Sequence, residues 1–388
     1  VTITAPQGFR AAGITAGIKA SGKPDLALVV NDGPLKNAAA VFTSNRVAAA
    51  PVHWSRQVVT DGRVDAVVLN SGGANACTGP QGFQNTHATA EKAADVLGIS
   101  ASDVVVCSTG LIGEQLPIEK ILRGVETASA ELANDGGAAA ATAIMTTDSV
   151  SKEAVYRGTD ADGKEFTVGG IAKGAGMLAP GLATMLVVLT TDAEVEAEML
   201  DVVLRDATRV TFDRADSDGC MSTNDTVVLL ASGASGAVPS TEALGEGVTR
   251  VCAELARKLI GDAEGASHEI AIRTFNAASE RDAEVVSRAV ARSNLFKTAV
   301  FGNDPNWGRV LSAVGTTDAV FEPDQLAVSM NGVQICRNGG IGEDRNLVDL
   351  KPREVLVEID LQAGDAEATI WTNDLTHDYV HENSAYSS

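Results

Sequence analysis

Several features are scarce in this chain, and each scarcity removes a class of function. Its five cysteines, Cys77, Cys107, Cys220, Cys252 and Cys336, are widely spread, odd in number and include no Cys-x-x-Cys pair. They read as reduced thiols of a cytoplasmic protein rather than as a disulfide framework or a zinc ribbon. Histidine is as sparse. His53, His87 and His268 stand alone, while His377 and His381, four apart, lie in a polar tail without a His-Glu-x-x-His context. No metal site and no cofactor are expected. No apolar run approaches the roughly 20 residues of a membrane span, and the first residues carry no signal-peptide pattern. Basic residues number 30 against 51 acidic ones, and the net charge of −21 argues against nucleic acid and anionic membrane surfaces as partners. Internal repeats and low-complexity linkers are also missing.

What remains is the composition of a soluble enzyme, 45% hydrophobic and 21% charged, with 388 residues to build one large domain or two. Residues 26–30 and 39–42 read as strands around the turn Asn31-Asp32-Gly33-Pro34. Two strand-loop-helix units follow, 64–69 with 84–97 and 104–106 with 117–132, Pro117 standing in the first turn of the second helix. Asp160-Ala161-Asp162-Gly163 suits a hairpin. Further helices are expected over 194–209, 242–259 and 281–292, and strands over 226–231, 268–275, 298–301, 326–335, 355–361 and 368–371. Strands alternating with helices imply an α/β architecture.

The chain is organised around residues 173–192, where a flexible loop meets a buried strand. Gly174, Gly176, Pro180 and Gly181 supply unusual backbone freedom and one fixed φ. Met185-Leu186-Val187-Val188-Leu189 is an apolar run of strand length. Thr184 heads that strand. If the bond before it breaks, Thr184 carries a hydroxyl and an α-amine on one residue, and an amine of pKa about 8 can act as the hydroxyl's base. Taken alone the loop favours the plainer reading, a Gly-rich turn entering a core strand. Phosphate cradling fits poorly, because no Gly-Lys-Ser/Thr follows and a strand comes next.

Lys173-Gly174-Ala175-Gly176-Met177-Leu178-Ala179-Pro180 and Leu182-Ala183-Thr184-Met185-Leu186 closely resemble the self-cleavage segment of the ornithine acetyltransferase family. Asn70-Ser71-Gly72-Gly73-Ala74-Asn75-Ala76, Ser222-Thr223-Asn224-Asp225-Thr226 and the stretch from Asn294 through Asn303-Asp304-Pro305-Asn306-Trp307-Gly308-Arg309 match as well, so the resemblance runs from Gly8-Phe9 to Ser388. It implies a four-layer αββα sandwich of the N-terminal-nucleophile type, built from both fragments of a chain cut at Ala183-Thr184. The activity implied is transfer of an acetyl group from N-acetylornithine to glutamate through an acyl-enzyme on Thr184, in arginine biosynthesis.

The same resemblance assigns residues. Thr109 and Gly110, within Cys107-Ser108-Thr109-Gly110-Leu111-Ile112-Gly113, would form the oxyanion hole; the loop by itself is an ordinary strand-to-helix turn that can offer N–H groups and a hydroxyl. Thr147, in Met145-Thr146-Thr147-Asp148, and Lys173 would bind substrate, a cation suiting a carboxylate. Glu264 would hold the ammonium of ornithine. Asn383 and Ser388, a frayed tail on composition alone, would fold back to complete the pocket. The chain departs from the family at Gly73, where Asn is common, at Cys220, where an acid is common, and at Tyr386-Ser387-Ser388, where Tyr-Arg-Thr is usual.

The expected mature protein is a 1–183 fragment and a 184–388 fragment held in one core, paired into a heterotetramer. Acetyl-CoA as a second donor is left open by these motifs. Two other readings use the same residues: an N-terminal-nucleophile amidase or aminopeptidase, in which water resolves the acyl-enzyme, and an uncut amino-acid-binding protein.

Overall fold

An apolar run without polar alternation is stable only when covered on both faces, and this is where the strand after residue 184 lies. The computed structural model describes residues 3–179 and 185–385. The chain forms two compact units. The first runs to Asp213 and resumes over Cys220–Leu259; the second comprises Arg214–Gly219 and the chain from Ile260 on.

In the first unit, strands β1 (Phe9–Ile14), β2 (Leu26–Asn31) and β3 (Asn37–Phe42) precede helix α1 (Ala50–Val58). Then β4 (Ala66–Ser71), α2 (Gly79–Leu97), β5 (Val104–Thr109) and α3 (Ile118–Ala130) alternate, followed by α4 (Gly137–Ala143) and the hairpin β6 (Lys152–Thr159) and β7 (Glu165–Lys173). Strand β8 (Leu186–Thr191), α5 (Ala197–Val210), β9 (Thr226–Ala231) and α6 (Thr241–Gly261) complete it. One sheet has the order β1-β2-β4-β5 and the other β3-β9-β8-β7-β6.

Between the sheets, Val29, Leu69 and Val105 of one meet Ile171, Val188 and Val228 of the other in a common core. The outer face of the first sheet packs on α2 and α3 through Leu28, Val68, Ala93 and Ile121. The outer face of the second carries α5 along β3 and α6, whose Val251 and Leu255 lie over Gly170 and Leu189. The unit is therefore the expected αββα sandwich. Strand β8 sits between β7, antiparallel with Lys173 opposite Leu186, and β9, parallel with Leu186 opposite Thr226. Residues from both sides of the Ala183-Thr184 bond thus share one hydrogen-bonded ladder.

The second unit has a six-stranded sheet of β10 (Glu269–Ala277), β11 (Ala327–Met330), β12 (Val333–Arg337), β13 (Gly340–Ile341), β14 (Glu354–Asp360) and β15 (Ala366–Asn373), ordered β13-β12-β11-β14-β10-β15. Helices α7 (Glu280–Ala291), α8 (Asn294–Phe301) and α9 (Trp307–Val314) cover one face, with Val286, Phe296, Val300 and Val310 packed on Ile270, Val328 and Val357. Helix α10 (His377–Ala385) follows and buries no residue.

The structure corrects two expectations here. Residues 298–301, read as a strand, are the last turn of α8. The Ser293 side chain caps that helix by accepting the Phe296 N–H, and Phe296 and Val300, one turn apart, enter the core together. Residues 326–335, read as one strand, fold back at Asn331-Gly332, whose φ values of 45° and 84° make the tight turn between β11 and β12.

Candidate active site

Strand β5 extends three residues beyond its expected end and delivers Thr109 as its last residue, buried to 2% exposure. The next residue must be glycine. Gly110 has φ +134°, and a Cβ there would lie 2.5 Å from the Gly73 nitrogen and 2.7 Å from the Gly72 carbonyl carbon. The Gly73 N–H donates to the Thr109 carbonyl at 3.0 Å, so the 70–76 and 107–113 segments are laced together. The departure at Gly73 has a local reason: a Cβ would meet Leu116 Cδ2 at 2.5 Å.

Lys173 closes β7 and is 2% exposed, so it is no solvated loop lysine. Its Nζ donates to Thr109 Oγ1 at 3.2 Å and to Thr146 Oγ1 at 2.7 Å. Thr146 of the Met-Thr-Thr-Asp motif thus reaches Lys173, and the neighbouring Thr147 is exposed.

Behind Lys173 lies a buried ionic cluster. Asp148 Oδ1 accepts from Lys152 Nζ at 2.6 Å and from the Gly174 N–H at 2.7 Å; Oδ2 accepts from the Thr146 N–H at 3.0 Å and lies 4.0 Å from Lys173 Nζ. Lys152 is wholly enclosed. Burial pushes the Asp148 carboxyl up, but the two ammonium groups and the hydrogen bonds from Lys152 and Gly174 outweigh it and hold the group at about 2. Asp148 is therefore a permanent anion that fixes where Lys173 and the start of the 174–179 loop lie.

The Ser-Thr-Asn-Asp motif supplies a further layer that the sequence marks only as a match. Asn224 Nδ2 donates to the Ala74 carbonyl at 2.6 Å and to the Ser108 carbonyl at 2.8 Å, while Ser108 Oγ donates to Asn70 Oδ1 at 2.6 Å. These bonds hold the strand end that presents Thr109 and Gly110. Asp225, next in the chain, accepts the Met185 N–H at 3.0 Å and so grips the head of β8.

Ala183, Thr184 and Ser388 lie outside the described residues. In the second unit Glu264 is half-buried and lines a small pocket with Asp218, Lys297, Asp374 and Tyr379. Lys297 is buried there and donates to the Ser217 carbonyl. Asn383 is exposed on α10, its Nδ2 donating to the Tyr379 carbonyl at 3.0 Å. The tail through Ala385 is thus helical rather than frayed. Among the described residues no group of three or more His, Cys, Asp or Glu is placed to hold a metal ion, and no helix is long and apolar enough to cross a membrane.

Comparison with known proteins bears on the whole chain. Residues 10–388 match the ArgJ family model. The chain is 67% identical over 388 residues to the "Arginine biosynthesis bifunctional protein ArgJ" of Streptomyces coelicolor and 62% identical over 388 residues to that of Thermobifida fusca, with 100% of each chain covered in both cases. It is 54% identical over 393 residues to the protein of the same name from Mycobacterium leprae, covering 100% of this chain and 96% of the other. Among solved structures, an ornithine acetyltransferase from Mycobacterium tuberculosis complexed with ornithine is 56% identical over 48% of this chain and 96% of that one, at a TM-score of 0.44.

Proposed function

The chain belongs to the ArgJ family, and from this premise we propose that it is a self-cleaving acetyltransferase that moves an acetyl group from N2-acetyl-L-ornithine to L-glutamate in arginine biosynthesis. In the maturation step the Thr184 hydroxyl attacks the Ala183 carbonyl, the Ala183–Thr184 C–N bond breaks as the nitrogen takes a proton, and water hydrolyses the resulting ester. This frees the Ala183 carboxylate and regenerates the Thr184 hydroxyl beside its new amine. The ladder linking β7, β8 and β9 keeps the two fragments in one sandwich.

In the transfer, the Thr184 amine takes the hydroxyl proton as Oγ attacks the acetyl carbonyl. The negative charge that develops on the acetyl oxygen is met by Thr109 and Gly110. The observation that carries this reading is the Lys173 ammonium on Thr109 Oγ1. With its oxygen already accepting from a cation, the Thr109 hydroxyl has its own proton left to donate, and the cation strengthens that donation. The proton then passes to the ornithine nitrogen as the C–N bond breaks, leaving acetyl-Thr184. Glutamate retraces these steps and leaves acetylated.

Lys173 and Thr147 serve the substrate's polar end, and Glu264, with Asn383 and Ser388, its side chain. The mature assembly is two of each fragment. The same acyl-enzyme accepts acetyl from acetyl-CoA as a second donor.

Intact mass measured under denaturing conditions tests the cleavage and the acyl-enzyme. Two fragments split at Ala183-Thr184 are expected, the larger-numbered one gaining a single acetyl group on brief exposure to N-acetylornithine, or to acetyl-CoA in a parallel sample. Thr184→Ala should stay uncut and unacetylated. An uncut wild-type chain would move the reading to a binding protein, and acetyl release that glutamate fails to accelerate would move it to a hydrolase.

A further inference from the structure

The second substrate poses a problem that Glu264 alone does not solve. N-acetylornithine ends in a side-chain ammonium and glutamate in a side-chain carboxylate, so a carboxylate that attracts the one repels the other. The pocket that Glu264 lines also holds cations. It lies wholly within the second unit, with Lys297 and Arg292 among its walls, and its volume is about 160 Å³. That admits the end of a side chain and excludes a coenzyme.

Of the two cations, Lys297 on α8 is the enclosed one. It is 7% exposed, and its ammonium makes one hydrogen bond, to the Ser217 carbonyl. Among the described residues it forms no ion pair. Two of the three acids that act on it through space are engaged elsewhere. Asp374 Oδ1 accepts from the Ser267 and His268 N–H groups at 3.0 and 2.8 Å, and its Oδ2 lies 2.7 Å from His268 Nδ1. Asp216 Oδ2 accepts from Arg288 Nη1 at 3.0 Å and from Arg292 Nε at 2.7 Å. The third, Asp218, lines the pocket as well. An ammonium has three protons to donate, and a buried one with a single neutral acceptor is short of partners.

We propose that Lys297 is a specificity-determining residue that receives the side-chain carboxylate of glutamate, in the pocket where Glu264 receives the ammonium of ornithine. The proposal rests on the transfer reading above. Opposite charges at two places in one pocket serve the two half-reactions in turn, and neither has to move. The electrostatics agree. Burial pushes Lys297 below the ordinary lysine value, against the pull of Asp218, Asp216 and Asp374. A carboxylate entering the pocket offsets that cost by pairing the ammonium that burial has stripped of water.

Steady-state kinetics of wild type, Lys297→Met and Lys297→Arg, with glutamate and N-acetylornithine varied in turn, test this. In Lys297→Met, KM for glutamate should rise about tenfold to hundredfold, the loss of one charge-assisted pair. KM for N-acetylornithine should stay level or fall, because a cation that repels its ammonium is gone. Lys297→Arg should recover part of the affinity for glutamate. A merely structural lysine would raise both values together, and either that result or an unchanged KM for glutamate overturns the proposal. Should Lys297→Met fail to fold, a crystal structure of the wild type with glutamate decides: a side-chain carboxylate oxygen is expected within about 4 Å of Lys297 Nζ, and a longer gap overturns it. A wild type that takes no acetyl group from N-acetylornithine, or whose acetyl-enzyme ignores glutamate, would instead overturn the transfer reading itself.

Discussion

The two units of this chain differ in how far they enclose the side chains assigned to substrate. In the first, strands β2, β4, β5, β8 and β9 are buried at every residue, so a polar side chain entering that interior meets no water. Lys152, Asp148 and Lys173 are accordingly locked to one another and to backbone. In the second, β14 alternates buried and open positions, and the side chains assigned to substrate are half-buried at Glu264 and exposed at Asn383. The difference is confined to those assigned side chains: Lys173 is part of an enclosed ionic cluster, whereas Glu264 and Asn383 lie apart from the ion pairs that the second unit also encloses, His268 on Asp374 and Arg288 on Asp216.

The strongest way to break that comparison is to neutralise the anion in the first unit. Asp148→Asn leaves two enclosed ammonium groups without their shared partner, and breaking such a buried pair costs about 3–5 kcal/mol. The urea midpoint should drop accordingly, and Lys173 should lose its fixed place. The pH dependence follows from the same group. Held at about 2 in the fold against an ordinary value near 3.8, Asp148 contributes stability that is present above the ordinary value and lost as pH falls through the folded one. Wild type should therefore lose stability between about pH 4 and pH 2, and the variant should lose less over that interval. Equal slopes would show that Asp148 is no anchor.

A second, smaller break tests whether the backbone around the oxyanion loop is as tightly set as the charges. Gly73→Asn restores the residue common in the family but drives its Cβ into Leu116 Cδ2. Because the atom met is the end of a flexible side chain that can turn away, the cost should lie at the low end of overpacking, about 1 kcal/mol. Leu116→Ala in the same chain should recover part of the loss, and the recovery, read from urea midpoints of the single and double variants, measures how far Leu116 replaces the missing side chain. Additive effects would mean that the two positions do not compete for space.

The first unit's framework was readable because its signals are local. The run at 226–231 coincides with β9, and the helices expected over 84–97 and 117–132 overlap α2 and α3. Residues 298–301 misled because Thr, Val and Phe favour strands in isolation, while the deciding facts were a serine cap five residues upstream and burial one helical turn apart. The site divides similarly. Thr109, Gly110 and Lys173 came from motif resemblance, and the structure brings them together. Lys152 looks like a solvated lysine between Ser151 and Glu153, and only folding puts it on Asp148. Asn224 and Asp225 lay inside a matched motif, but the roles seen here depend on contacts with residues 40 to 150 positions away.

The smallest expected effect sharpens the comparison from the second unit. Glu264→Gln removes a half-buried charge that is not part of the Asp148 cluster, so the urea midpoint should move much less than in Asp148→Asn. Its effect should fall on binding, and with opposite sign for the two substrates. N-acetylornithine carries a side-chain ammonium that a carboxylate attracts, so its KM should rise about tenfold, the loss of about one charge-assisted hydrogen bond, with kcat within about twofold. Glutamate carries a carboxylate at the corresponding end, which Glu264 repels, so its KM should stay level or fall. Steady-state kinetics with each substrate varied in turn gives both values. A rise in both would mean that Glu264 shapes the pocket rather than reading charge, and a fall in kcat would tie it to the reacting centre.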